Sequence, residues 1–209
     1  MIHVDNWSQN QIEQYGRLIG EAFAASPGIA EMVPEEDIVN SFIAITEGYY
    51  RMGTLYALSD NYEGFIAYWD KKTKIPLGIM FRLFFRMLKT VRFRSLLKIA
   101  ASSNEQYAKL FKDADDYIAV SMVVVLQQYQ GQGYMKKLLA PAFREAEKRN
   151  CSCILDTDSP EKVVKYEHCG MKKIAEKQVS HGVTLYTMEY IMSRSTQQSI
   201  ERGHRIKQP

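Results

Sequence analysis

The residues best suited to chemistry lie together in the run Val123-Val124-Val125-Leu126-Gln127-Gln128-Tyr129-Gln130-Gly131-Gln132-Gly133-Tyr134-Met135-Lys136-Lys137-Leu138-Leu139. Its β-branched start reads as a buried strand, its glycines as a tight turn, and the residues after them as a helix. A helix start leaves amide N–H groups without intrahelical partners and carries the positive end of the peptide dipole, so it suits phosphate oxygens. Glycines let the main chain approach an anion closely. Lys136 and Lys137 add positive charge. A strand-to-helix turn can also use Gly-x-Gly for its geometry alone. The run is not a P-loop, because no Gly-Lys-Ser/Thr follows. It is a poor dinucleotide fingerprint too, lacking the third glycine and lying past mid-chain.

The elements that must position this loop can be read from periodicity and punctuation. Ser8 and Gln11 have capping-box spacing, and Ile12, Tyr15, Ile19 and Phe23 recur at helical intervals, which predicts a first helix to about Ala25. A second helix follows Pro34, with Ile38, Phe42, Ile45 and Tyr49 on one face, and ends at Gly53. Thr54–Leu58 and Gly64–Trp69 read as strands. Ile75–Ala101 reads as one or two helices, continuing through 105–111. Tyr117–Leu126 is a central strand, apolar on both faces. Met135–Arg149 is a helix that contains Pro141, which kinks it or delays its regular part. Cys151–Thr157 is a strand and Pro160–His168 a short helix with proline in its first turn. Two further strands, Met171–Val179 and Val183–Ile191, form a hairpin around Ser180-His181-Gly182. The order is helices, a meander, then β-α-β-α-β-β, an α/β or α+β sheet covered by helices.

In that setting the loop resembles motif A of the GNAT superfamily of N-acetyltransferases, Gln/Arg-x-x-Gly-x-Gly/Ala. Gln130-Gly131-Gln132-Gly133-Tyr134-Met135 fits in register with Leu138-Leu139, with Met135 in place of the usual Gly or Ala. The overlapping frame from Gln128 fits letter for letter but sets the helix two residues late. Gln127 replaces the proline common after the strand. Leu155-Asp156-Thr157-Asp158-Ser159 and Lys165-Tyr166-Glu167-His168-Cys169-Gly170-Met171 resemble the family's later motif, with Ser159 near the usual Asn and Met171 for Phe. The resemblance covers about 116–191 and is loose before that.

The resemblance implies a mixed, mostly antiparallel sheet with splayed central strands. It implies acetyl-coenzyme A as co-substrate, its pantetheine arm along Val123, Val124 and Val125. The pyrophosphate would lie on the amides of Gly131–Lys136, within a cofactor set of Gln130, Gly131, Gln132, Gly133, Tyr134, Met135, Lys136 and Ser159. Transfer to an amine needs a neutral amine, a stabilised thioester oxygen and a proton for the departing thiolate. Tyr166 matches the family's tyrosine for the last role. The strand where relatives often carry a glutamate has only Ser121, so Glu47, Asp156, Asp158 or solvent is left to act as base.

The remaining sequence narrows the classes. With 209 residues, 46% hydrophobic and 24% charged, the chain is one globular domain over 1–192, with a helical insert at about 75–114 and a polar tail, 193–209. No apolar stretch approaches a membrane span and no secretory signal is visible, so a cytoplasmic protein without membrane insertion is expected. Cys151, Cys153 and Cys169 read as reduced thiols, and the scattered histidines make no metal site. From Lys71 to Lys98 there are nine basic residues and no acid. That segment reads as a surface helix with solvated charges. It could instead form a lid, a subunit contact giving a homodimer, or a membrane-surface helix. No nucleic-acid motif accompanies it. The expected partner is a small-molecule or peptide amine. The alternative to an enzyme is an inactive acyl-coenzyme A sensor.

Overall fold

The computed structural model describes residues 1–102, 106–179 and 184–191. The expected turn at 180–182 and the polar tail at 193–209 lie outside the described residues. The strands are β1 (Ile2–His3), β2 (Leu55–Ala57), β3 (Gly64–Asp70), β4 (Tyr117–Val125), β5 (Ser152–Thr157), β6 (Lys172–Gln178) and β7 (Thr184–Tyr190). The helices are α1 (Gln9–Ala24), α2 (Glu35–Met52), α3 (Leu77–Thr90), α4 (Phe93–Ser102), α5 (Gln106–Leu110), α6 (Tyr134–Arg149) and α7 (Pro160–His168). The strands form one sheet in the order β1-β2-β3-β4-β5-β7-β6. Among the described residues only β4 and β5 pair in parallel.

Local chemistry explains most boundaries. Ser8 Oγ accepts from the Gln11 amide at 3.3 Å while Gln11 Oε1 accepts from the Ser8 amide at 2.9 Å, the reciprocal box that starts α1. Gly16 and Gly20 lie one turn apart where α1 crosses α2. A Cβ on either would come within 2.8 Å of Ile43 Cα or 2.6 Å of Val39 Cα, so only glycine permits this approach. Pro141 sits inside α6, and the helix runs through it. The segment expected as one or two helices folds as three, α3 to α5. The two-residue strand β1 is too short to leave a period-2 signal.

Two apolar layers sandwich the sheet. α1 packs on one side, where Leu55, Phe65, Met122 and Val124 meet Ile12, Ile19 and Trp7. α6 packs on the other, where Leu138, Leu139, Ala142 and Phe143 meet Ile118, Val120, Val123 and Val125. Strand β4 therefore presents even-numbered residues to the α6 layer before Ser121 and odd-numbered ones after it. The pairing with β3 shows why. Tyr68 faces Val120 and Ala67 faces Met122, so Ser121 is the extra residue of a β-bulge.

The basic segment lies on the surface as expected, but three of its arginines are engaged with α2 rather than merely solvated. Arg82 Nε donates to Glu47 Oε1 at 2.9 Å, Arg51 Nε to the same oxygen at 2.8 Å, and Arg86 to Glu47 Oε2. Arg92 Nε and Ser95 Oγ donate to Asp37 Oδ2 at 2.8 and 2.5 Å. Both carboxylates are buried on α2. The arginines are thus the fasteners of α3 and α4 to α2, because buried charges must be paired.

Candidate active site

Strands β4 and β5 pair only through Tyr117–Ser152, Ile118–Cys153 and Ala119–Ile154. Beyond the bulge they part, so among the described residues no strand lies against the β5-facing edge of residues 120–125. The gap contains two adjoining cavities. One, of about 360 Å³, is lined by α2, β4, β5 and α7. The other, of about 560 Å³, lies between the end of β4, the glycine turn, α1 and α7.

The glycine turn closes the second cavity. A short 3-10 turn, Gln127–Tyr129, leads to Gly131 and Gly133, both left-handed at φ 77° and 75°. L-side chains avoid that conformation. Gly133 is the N-cap of α6 and brings no side chain to cap it. The first-turn amides are therefore left for another acceptor. Gln130 Nε2 donates to Val125 O at 3.1 Å, tying the turn to the strand end.

Of the residues singled out by motif, Val123, Val124, Val125, Gln130, Gly131, Gly133, Tyr134, Met135 and Tyr166 line this second cavity. Gln132 and Lys136 do not; both are exposed at its outer side. Ser159 does not line it either. It is 2% exposed, and its Oγ accepts the Lys162 amide at 3.2 Å as the cap of α7, so its hydroxyl is already used. Lys165 and His168 do line the cavity and carry no motif signal. For Lys165 the sign in the sequence is spacing: Lys162, Lys165 and Tyr166 share one face of a helix at i, i+3 and i+4. Ala22, Phe23 and Ser26 complete the wall.

Tyr166 lines both cavities and is 8% exposed. Burial, with smaller contributions from Asp158 and Cys169, raises its pKa well above the usual tyrosine range. The phenol keeps its proton throughout the physiological range. The first cavity is mostly apolar, with Phe23, Ile38, Phe42 and Ile45 among its walls. The bulge points Ser121 into it, an exposed residue in an otherwise buried stretch of strand, and Tyr49 Oη lies 2.8 Å from Ser121 Oγ.

The carboxylates divide. Burial pushes the Glu47 carboxyl up, but hydrogen bonds from Arg51 and Arg86 outweigh that and hold it below its usual 4.5. It lines neither cleft cavity, so it is removed from the bases considered above. Asp156 and Asp158 both line the first cavity. Asp158 Oδ1 holds Lys162 Nζ at 2.6 Å. Asp156 accepts from the Gln106 amide at 2.6 Å and Thr187 Oγ1 at 2.6 Å, and burial raises its proton affinity. The three thiols are shifted upward, burial being the main cause, and lack thiolate character.

Residues 95–192 match the family described as Acetyltransferase (GNAT) domain. No curated protein sequence matches the chain. Arylalkylamine N-acetyltransferase 2 from Aedes aegypti aligns with 90% of this chain and 98% of its own, at 15% identity and a TM-score of 0.59. An N-acetyltransferase from Staphylococcus aureus Mu50 aligns with 90% of this chain and 99% of its own, at 13% identity and a TM-score of 0.53. At these identities the likeness is one of fold. A protein from Agrobacterium tumefaciens, assigned to the acetyltransferases, is 34% identical over 35% of this chain, with a TM-score of 0.32; the match spans 56% of that protein's length. The match to the GNAT acetyltransferase domain thus spans just under half of the chain, and the fold is the one these N-acetyltransferases share.

Proposed function

We propose that the chain transfers an acetyl group from acetyl-coenzyme A directly to a primary amine borne on an apolar or aromatic body. The observation that carries this reading is the open gap between β4 and β5, which leads from an uncapped helix start to a mostly apolar cavity, with Tyr166 at the junction. The free edge of Val123–Val125 suits the amide groups of a pantetheine arm. The amides of α6's first turn suit a pyrophosphate, and Lys165 and His168 add donors beside it. In the first cavity, Asp156 and Asp158 draw an ammonium. Asp156, whose proton affinity is raised, is the carboxylate suited to taking its proton. Tyr166 donates toward the departing sulfur. The Aedes aegypti neighbour's arylalkylamine specificity agrees with the aromatic lining, so small arylalkylamines head the list of acceptors to try.

Calorimetry with acetyl-coenzyme A and thiol release with a panel of amines test this reading. Heat of binding with amine-dependent thiol release is expected. Binding without turnover on any amine would make the domain a sensor, and no heat at all would end the proposal. Gly133→Ala should weaken coenzyme A binding by about tenfold, because left-handed strain of about 1–2 kcal/mol displaces the first-turn amides.

The Ser121–Tyr49 hydroxyl pair is placed to hold the amine. Ser121→Ala should raise KM for the amine by roughly three- to tenfold, the worth of one neutral hydrogen bond, and leave coenzyme A affinity unchanged. An unchanged amine KM would remove Ser121 from the acceptor site.

A further inference from the structure

The outer face of α3 and α4 is distinct from the cleft. Leu77, Met80, Phe81, Phe84, Phe85 and Leu88 recur at helical spacing and are 44–70% exposed. They form one stripe along a helix that has no buried residue. Phe93 and Leu97, 69% and 55% exposed, continue the stripe on α4. The opposite face of α3 carries Arg82 and Arg86, which reach Glu47. An amphipathic surface helix ordinarily packs its apolar stripe inward. This one is fastened by its cationic face and turns its apolar face out. A contiguous exposed apolar patch of this kind, rimmed by charge, marks a surface that something covers.

The charge of the rim identifies the occupant. Arg82 and Arg86 are paired with Glu47, Arg86 also with Glu13, and Arg92 with Asp37. Lys72, Lys74, Lys89 and Arg94 remain exposed around the stripe, and no acid lies between residues 71 and 98. A second copy meeting this face across a two-fold axis would oppose the same cationic rims, and like charges facing one another disfavour that pairing. Phenylalanines flanked by lysine and arginine match an anionic lipid surface: the rings enter the headgroup boundary while the cations reach lipid phosphates. No helix among the described residues is long and apolar enough to cross a membrane.

We propose that α3 and α4 dock the protein on anionic bilayers, lying in the headgroup plane with the phenylalanine stripe inserted. Ile99 of α4 also lines the first cavity, so the docked element forms part of the cleft wall. The inference is independent of whether the chain acetylates amines.

Co-sedimentation of the full chain with phosphatidylglycerol vesicles, and with phosphatidylcholine vesicles, tests it. Pelleting with the first alone, lost as sodium chloride is raised, is expected. The double substitution Phe81→Ser with Phe84→Ser should abolish it. Lys89→Gln and Arg94→Gln should each weaken it by about fivefold, which keeps the test decisive if the phenylalanine variants fold poorly. Three results would overturn the proposal. One is no vesicle binding, which together with retention on polyglutamate would point to an acidic protein. Another is equal, salt-insensitive binding to both lipids. The third is a concentration-dependent dimer in ultracentrifugation that the phenylalanine substitutions dissolve.

Discussion

Tyr166→Phe should lower kcat for amine acetylation by roughly a hundred- to a thousandfold, the usual worth of a positioned proton donor. The Kd for acetyl-coenzyme A should stay within about twofold, because the ring and its packing survive the change. The expected pH dependence follows from the burial of the phenol. Its pKa is raised above the ordinary 10.0, so the protonated form is complete at every lower pH. A thiol of ordinary pKa, about 8.5, yields a weaker base than this phenolate. The side chain therefore acts by donating a hydrogen bond to sulfur as charge grows there, rather than by becoming ionised beforehand. Wild-type kcat/KM should accordingly rise with pH as the amine loses its proton, with no decline from Tyr166 below pH 10. If the phenylalanine enzyme keeps its rate, the donor is another group. If it loses coenzyme A affinity in equal measure, Tyr166 is part of the binding wall alone.

Glu47→Gln should destabilise the fold by about 3 kcal/mol, the range for removing one member of a buried charge cluster. For a chain of this size that lowers Tm by about 6–12 °C. Glu47 is only 4% exposed at its side chain, while Arg51, Arg82 and Arg86 all converge on it. Arg82 is 60% exposed, so Arg82→Gln should cost less than about 1 kcal/mol. Thermal unfolding of the two variants checks the asymmetry; equal losses would contradict it. The pH dependence has a definite sign. Although burial opposes ionisation, hydrogen bonds from their partners hold Glu47 and Asp37 below their usual 4.5 and 3.8. A lowered carboxyl pKa adds stability above the unfolded value and loses it as pH falls through the folded one. Acid should therefore loosen the attachment of α3 and α4 below about pH 4.5. Glu47→Gln should flatten that part of the stability curve.

What could be read from the sequence depended on how local its cause was. Ser8 with Gln11, Pro34, Gly53 and Pro160 mark helix ends through contacts within a few residues, and those boundaries agree with the fold to within about a residue. The strand, glycine turn and helix from Val123 to Leu139 are equally local. The course of the strand itself was less visible. A bulge adds one residue without altering composition, so YIAVSMVVVL reads as an uninterrupted apolar strand. Only pairing with β3 shows that Ser121 is the extra residue. The arginines of α3 were legible as a helical face but not as an inward one. Glu47, the partner of Arg82 and Arg86, and Asp37, the partner of Arg92 just beyond α3, lie on α2, 35 or more positions earlier, and charge count alone cannot separate a solvated cation from a buried pair. Ser159 stands near where the family pattern has asparagine, whereas its hydroxyl caps its own helix. Lys165 is marked in the sequence only by its helical spacing, and His168 by nothing; both owe their place to α7 leaning over the cavity.

Ser121 has a consequence for how this domain can change. Removing it would make β4 regular and let its hydrogen bonding to β3 run unbroken. Met122 and Val124 would stay on the α1 side and Val123 and Val125 under α6, because Val120 and Met122 already pair with successive residues of β3 and would simply alternate. A deletion here would thus spare both the ladder and the packing, and would take away only the hydroxyl in the cleft. That hydroxyl sits on an inserted position that neither hydrophobic layer needs. A lineage could change or discard it without refilling the core.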